Sequence, residues 1–120
     1  MGVITGNGQP QTGLGGAAGF GEITLDRSDD GSFAIDTSAV FSSGFTFAGV
    51  TYSAASLYVS TDGFITFGAP PNAGYIANPT SLTTPFFAAF MADIDTRLDN
   101  EGTESGPIYV DVDSANDVVT

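Results

Sequence analysis

The residues of this sequence that could do chemistry are mainly carboxylates. Fourteen residues are Asp or Glu, and eight of them fall between residues 93 and 117: Asp93, Asp95, Asp99, Glu101, Glu104, Asp111, Asp113 and Asp117. Asp93 and Asp95 are two residues apart, so they share one face if the preceding strand continues through them. Because oxygen-rich clusters bind calcium, Asp93, Asp95 and Asp99 are the predicted metal ligands. In the alternative interpretation the acids form a solvated loop, in which Asp93 caps a turn.

The side chains that the sequence lacks exclude several classes of enzyme. There is no His, no Cys and no Lys. A Ser/His/Asp triad, a thiol nucleophile, a zinc site with nitrogen and sulfur ligands and a Schiff base are therefore excluded. We predict a protein that is not an enzyme, with no catalytic residue and no cofactor other than Ca²⁺. An acidic hydrolase that uses two carboxylates is the weakest alternative.

Two short motifs match functional patterns by chance. The tripeptide Asp36-Thr37-Ser38 has the sequence found in aspartic proteases, but the flap of that class is not recognisable. Residues 13–18 have the spacing G-x-G-x-x-A of a dinucleotide-binding loop, without the strand and the helix that should flank it. Neither motif predicts a function.

The charge of the chain restricts its partners. The net charge is −12, which repels nucleic acid and anionic membrane surfaces. No apolar run approaches the roughly 18 to 20 residues that span a bilayer, and no Sec-type signal is visible at the N-terminus. We therefore predict protein partners, no nucleic acid and no membrane insertion.

The spacing of apolar residues predicts an all-β fold. From Phe20 onward, apolar and polar residues alternate in short runs that are separated by turn residues. Residues 86–94 are almost continuously apolar and are expected to form a strand that is buried on both faces or lies at the centre of a sheet. The fold class is an antiparallel β-sandwich of short strands. The predicted strands are residues 22–25, 32–36, 45–47, 50–52, 57–60, 64–67, 86–94 and 108–112, with a last one starting at Asp117.

Turn residues and aromatic residues complete this prediction. Ala48-Gly49 and Thr61-Asp62-Gly63 are predicted hairpin turns. Alternating aromatic residues could form a platform for carbohydrate, but their spacing favours packing in the core. These residues are Phe41, Phe45, Phe47, Tyr52, Phe64, Phe67, Phe86, Phe87 and Phe90.

The glycine content divides the chain into two parts. Residues 1–21 contain eight of the sixteen glycines and are predicted to form a flexible arm, or a segment that orders when it docks on a partner. Residues 22–120 are predicted to form one β-domain. Because the sequence stops inside an apolar run, we expect the domain to continue beyond residue 120.

Four pieces of the sequence resemble the nidogen-type extracellular domain. Residues 45–52 read FTFAGVTY and residues 57–68 read LYVSTDGFITFG, similar to the family pattern F-x-F-x-G-x-x-Y and then L-Y-V-x-x-N/D-G-x-I-x-F. Residues 85–97, PFFAAFMADIDTR, resemble the family segment that ends in A-D-I-D-T, and residues 106–110, GPIYV, resemble the strand after it. Ala89 and Met91 stand where the family usually has Pro and Trp.

This resemblance implies a function as well as a fold. It implies a non-catalytic extracellular or cell-surface module with a structural or adhesive role, which calcium could stabilise. The alternative is the N-terminal attachment domain of a fibre or spike on a phage or phage-like particle, in which the arm docks into the particle shell. In either setting the expected partners bind through the arm or the sheet edges, and a homo-oligomer is expected of a fibre.

Overall fold

A computed structural model of the chain describes residues 23–72, 74–75, 78–99 and 105–120. The predicted arm, residues 1–21, lies outside the described residues. So do the glycine motif of residues 13–18 and the two acidic residues Glu101 and Glu104.

The part of the chain that the structure describes is all-β, as predicted. It forms ten strands and one 3₁₀ turn, Pro79–Ser81. The strands are β1 (Ile23–Thr24), β2 (Ser32–Ile35), β3 (Phe45–Phe47), β4 (Val50–Tyr52), β5 (Leu57–Ser60), β6 (Phe64–Phe67), β7 (Phe86–Ala88), β8 (Tyr109–Val110), β9 (Val112–Asp113) and β10 (Val118–Val119).

An antiparallel sheet of four strands, in the order β2-β5-β6-β7, is the largest element. Its register places Phe33 opposite Val59, and Val59 opposite Ile65, so that one face of the sheet is apolar. The β1–β8 and β9–β10 pairs cover this face, because the core residues Leu25, Ile35 and Val110 pack together with apolar residues from both layers. The arrangement is sandwich-like, in agreement with the predicted fold class.

The predicted β3–β4 hairpin is confirmed, including its turn. Ala48 and Gly49 have positive φ values of 50° and 82°, which is the backbone conformation of a tight type I′ turn. The hairpin packs its aromatic rings on Phe67, and the ring centroid of Phe47 lies 4.3 Å from that of Phe67. This part of the prediction that aromatic residues pack in the core is therefore correct.

The β5–β6 turn consists of three residues, Thr61, Asp62 and Gly63. The N–H of Gly63 donates to the carbonyl of Ser60, and Gly63 has a φ of 78°. A Cβ at this position would overlap the carbonyl oxygen of Phe90, so the turn touches the backbone of the segment after β7. Only glycine combines this conformation with this close approach.

The expectation for residues 86–94 is wrong. They form only the short strand β7, which lies at the edge of the sheet rather than at its centre. The side chains of Phe87 and Phe90 are 55% and 68% exposed, so these two aromatic residues are not in the core of the described chain. The strand ends at Ala88 because the following backbone crosses the β5–β6 turn and bonds to it, as Ala92 donates to the carbonyl of Asp62.

The predicted strand 108–112 is divided into two strands. Tyr109–Val110 pairs with β1, and Val112–Asp113 pairs with β10. Asp111 lies between them and exchanges two backbone hydrogen bonds with Thr120, both 2.9 Å long. The β9–β10 turn is stabilised by Asp113, whose carboxylate accepts from the backbone N–H groups of Ala115 and Asn116.

Within the described ranges, no helix has the length and hydrophobicity that crossing a bilayer requires.

Candidate functional site

Three aspartates from distant parts of the chain meet at one end of the four-stranded sheet. Asp30 precedes β2, Asp62 lies in the β5–β6 turn, and Asp93 follows β7. One carboxylate oxygen from each residue lies within 4.8 Å of those of the other two. We call these residues the acidic triplet.

Asp62 is the buried member of the acidic triplet and is held by hydrogen bonds on both sides. Its Oδ1 accepts from the backbone N–H of Ile94 at 3.1 Å, and its Oδ2 accepts from the Ser60 hydroxyl at 3.4 Å. Its own N–H donates to the Ser60 hydroxyl oxygen at 3.1 Å, and its carbonyl accepts from the N–H of Ala92 at 3.2 Å. The side chain is 0% exposed, so Asp62 connects the β5–β6 turn with the segment after β7 from inside the protein.

The electrostatics of the acidic triplet disfavour three negative charges. Burial raises the pKa of Asp62, and the nearby charges of Asp30 and Asp93 raise it further. Hydrogen bonds from Ile94 and Ser60 act in the opposite direction and do not outweigh burial. A divalent cation among the three carboxylates would remove this repulsion, since it supplies the missing positive charge.

Hydrogen bonds also fix the segment that carries Asp30. The hydroxyl of Thr61 donates to the carbonyl of Asp29 at 2.5 Å and accepts from the N–H of Gly31 at 3.0 Å. The Oδ1 of Asp30 accepts from the backbone N–H of Tyr75 at 2.6 Å. One carboxylate oxygen of Asp30 is thus engaged with the loop after β6, while the residue itself remains exposed.

Arg97 neutralises two aspartates beside the acidic triplet. Its guanidinium contacts both oxygens of Asp95, at 2.7 Å for Nη2 to Oδ2, and it reaches Asp29 at 2.8 Å. These hydrogen bonds lower the pKa of Asp95. Arg97 is therefore the counter-ion of both Asp95 and Asp29.

Thr96 connects the same segment to the chain before β2. Its hydroxyl donates to the carbonyl of Ser28 at 2.7 Å and accepts from the N–H of Ser28 at 2.7 Å. Arg27 donates to the carbonyl of Thr96 at 2.6 Å and to that of Ser105 at 3.0 Å. Thr96 is buried, and its hydroxyl satisfies both the N–H and the carbonyl of Ser28 in a partly buried position.

The predicted metal ligands lie in different surroundings. Asp93 belongs to the acidic triplet together with Asp30 and Asp62, two residues that the sequence analysis did not select. Asp95 is engaged by Arg97, and among the described residues Asp99 is not part of the group of three. The nearest sequence signal for Asp62 was its place in a Thr-Asp-Gly turn, which indicated a turn and no ligand.

The Asp36-Thr37-Ser38 tripeptide is part of a turn. The carboxylate of Asp36 accepts from the N–H of Ser38 at 2.9 Å. Hydrogen bonds from the side chain and from the backbone of Ser38 lower the pKa of Asp36. The buried hydroxyl of Thr37 donates to the carbonyl of Ala54 at 2.7 Å. Each side chain has a local structural partner, which agrees with the interpretation that this motif matches by chance.

An apolar cavity of about 350 Å³ lies between the four-stranded sheet and the strands that cover it. Apart from Thr120 its lining is aliphatic and aromatic, and it contains no charged side chain: Phe41, Phe45, Leu57, Val59, Ile65, Phe67, Ile108, Tyr109, Val110, Val119 and Thr120. The cavity therefore does not bring together the carboxylate pair that acidic hydrolysis of a glycoside would need.

The acidic triplet is suited to binding a hard cation more than to catalysis. Calcium takes about six to eight oxygen ligands, and three carboxylates supply a large share of them. A general acid must reach its substrate, whereas the carboxyl group of Asp62 is fully buried and bonded to Ile94 and Ser60.

The family model described as a nidogen-like domain matches residues 55–120, which include β5 to β10 and two members of the acidic triplet. No curated protein and no solved structure matches the chain significantly.

Proposed function

Because the chain belongs to the nidogen-like domain family, we propose that it is a non-catalytic extracellular module that joins or presents larger parts of an assembly. The observation that carries the proposal is the family match over residues 55–120. Nidogen-like domains are extracellular modules of the structural and adhesive type. The family is also non-catalytic, in agreement with the absence of His, Cys and Lys from the sequence.

The way in which the matched segments are connected supports a structural role. Asp62 lies in the turn of the segment 57–68. Its carbonyl and its carboxylate accept hydrogen bonds from the backbone N–H groups of Ala92 and Ile94, which belong to the segment 85–97. Thr96 and Arg97 then join this second segment to the chain before β2. The polar residues that stand out in the sequence are therefore used to hold segments together.

The location of the protein tests the proposed function. An antibody against the chain should label the outer surface of intact source cells, and mild external protease should remove that label. A cytosolic protein probed in parallel should stay protected. Label that appears only after permeabilisation would contradict the proposal, and label on released phage-like particles would favour the alternative of a fibre or spike.

We propose further that the acidic triplet binds calcium and that calcium stabilises the module. The support is that carboxylate oxygens of Asp30, Asp62 and Asp93 lie within 4.8 Å of one another, with Asp62 buried. Calcium would bridge the chain before β2, the β5–β6 turn and the segment after β7. An ion that binds only the folded state stabilises it, by about 2.7 kcal/mol at a concentration one hundred times its Kd.

A further inference from the structure

The two edges of the four-stranded sheet differ in charge. β2 forms one edge and is flanked by Asp29, Asp30 and Asp36. β7 forms the other edge, and none of residues 63–92 carries a charge. Charged residues at an edge prevent another strand from pairing with it, so β2 has a protection that β7 lacks.

The outer side of β7 offers backbone groups for pairing. The N–H of Phe67 donates to the carbonyl of Pro85, which makes Pro85 a hydrogen-bonded partner of β6. Hydrogen-bonded positions alternate along an antiparallel strand, so Phe87 also points its peptide groups toward β6. Phe86 and Ala88 therefore direct theirs outward, and no other strand of the described residues pairs with that side.

The side chain of Phe87 extends the apolar face of the sheet to this edge. Phe87 lies opposite Ile65, which lies opposite Val59, so the three residues share one face. Val59 packs against the core, whereas Phe87 is 55% exposed. The apolar face thus continues past the layer that covers it, and a large aromatic surface remains in solvent.

We propose that β7 pairs with β7 of a second copy of this chain, in antiparallel orientation about a two-fold axis at Phe87. In this register Phe86 of each copy faces Ala88 of the other, and the outward peptide groups of these residues bond in two matching pairs. The Phe87 rings of the two copies lie side by side on one face. The two sheets then form one continuous sheet of eight strands, and the interface is self-complementary.

The uncharged edge of β7 fits a second uncharged edge, that of another copy of the chain, as its occupant. Asp93, the first charged residue after β7, lies six positions from Phe87, so the Asp93 residues of the two copies fall on opposite sides of the axis. No like charges face each other within the paired strands. Elsewhere two copies of net charge −12 repel, so salt should strengthen the dimer by screening. A basic peptide bound at the same edge would instead bind more weakly as the salt concentration rises.

Single cysteines test the proposed register, because the chain contains no cysteine of its own. Residues at position 87 would form a non-hydrogen-bonded pair with Cα atoms about 4.5 Å apart, within the roughly 4.4 to 6.8 Å range of disulfides. Under mild oxidation Phe87→Cys should form a covalent dimer. Leu98→Cys and Val50→Cys, at apolar residues that are also exposed, should remain largely monomeric.

Sedimentation of the unmodified chain supplies the second measurement. The mass should rise with concentration from 12.2 kDa to twice that value, and more readily at high salt. Ala88→Pro removes an outward N–H and should give a monomer whose melting matches that of the unmodified chain at monomeric concentrations. A chain that remains at 12.2 kDa at its highest soluble concentration, or cross-linking at positions 98 and 50 equal to that at 87, would overturn the proposal.

Discussion

The buried carboxylate of Asp62 accepts a hydrogen bond from the backbone N–H of Ile94, at 3.1 Å, across a separation of 32 residues. The carbonyl of the same residue accepts from Ala92. One residue of the β5–β6 turn therefore fixes the path of the chain after β7, and with it the position of Asp93 in the acidic triplet.

Replacing Asp62 should strongly destabilise the fold. Asp62→Ala removes the acceptor of the Ile94 N–H and leaves that partly buried donor without this partner. We expect the free energy of unfolding in urea to fall by about 1.5 to 3 kcal/mol, the range for hydrogen bonds to charged groups. Asp36→Ala removes an exposed carboxylate that also accepts one backbone N–H, and it should have a much smaller effect. Equal losses for the two variants would contradict the role assigned to Asp62.

The pH dependence of stability should differ between the unmodified chain and Asp62→Asn. Burial raises the pKa of Asp62 above 3.8, so the folded state binds more protons than the unfolded state between 3.8 and the raised pKa. The contribution of Asp62 to the stability of the folded state is therefore fully present below pH 3.8 and is lost as the pH rises from 3.8 through the raised pKa. Asn does not titrate, so without calcium the destabilisation by Asp62→Asn should be larger at pH 3 than at pH 7. Urea unfolding of both proteins between pH 3 and pH 7 measures this difference in the free energy of unfolding. A destabilisation by Asp62→Asn that grows with pH would contradict a raised pKa of Asp62 in the folded state.

Alanine at two glycines of equal conformation separates backbone strain from close contact. Gly49 and Gly63 have φ values of 82° and 78°, but a Cβ at Gly49 meets nothing, whereas at Gly63 it overlaps the carbonyl of Phe90. Gly49→Ala should cost about 1 to 2 kcal/mol for the left-handed backbone alone. Gly63→Ala should cost roughly 1 to 3 kcal/mol more, because the segment after β7 must move. Thermal or urea unfolding measures the difference, and equal costs would show that the two segments are not in contact.

Removing the hydroxyl of Thr96 should lower the free energy of unfolding, although the substitution is small. Thr96→Val keeps the shape but leaves the N–H of Ser28 without its acceptor, for an expected loss of about 1 to 3 kcal/mol. Thr46→Val is the matched control, since the Thr46 hydroxyl is exposed and bonds only to Thr51. We expect the control to be close to neutral in urea unfolding. A neutral Thr96→Val would mean that water can reach Ser28.

The local elements of this fold can be predicted from the sequence because their signals are local. Alternation along residues 57–67 and the glycines at positions 49 and 63 indicate two hairpins, and both are present. The apolar run 86–94 led to a wrong prediction because its signal is also only local. Its composition suggests a central strand, but its course is decided by hydrogen bonds to Asp62, a residue far away in the sequence.

The candidate site was only partly accessible to sequence reasoning. Asp93 was selected because it lies in a dense acidic segment, whereas Asp30 and Asp62 stand outside that segment and join it only through the fold. Asp95, two residues from Asp93, is engaged by Arg97 instead. The sequence shows where carboxylates are dense, but it does not show which of them come together in the folded chain.

Thermal unfolding in calcium and in EDTA tests most directly whether the acidic triplet holds a structural cation. We expect calcium to raise the Tm of the unmodified chain and of Asp99→Asn, since Asp99 is outside the triplet among the described residues. Calcium should not change the Tm of Asp93→Asn, because that variant lacks one of the proposed calcium ligands. The same Tm with calcium and with EDTA in the unmodified chain would contradict the proposed site. An equal calcium effect in Asp93→Asn would contradict the assignment of Asp93 as a ligand.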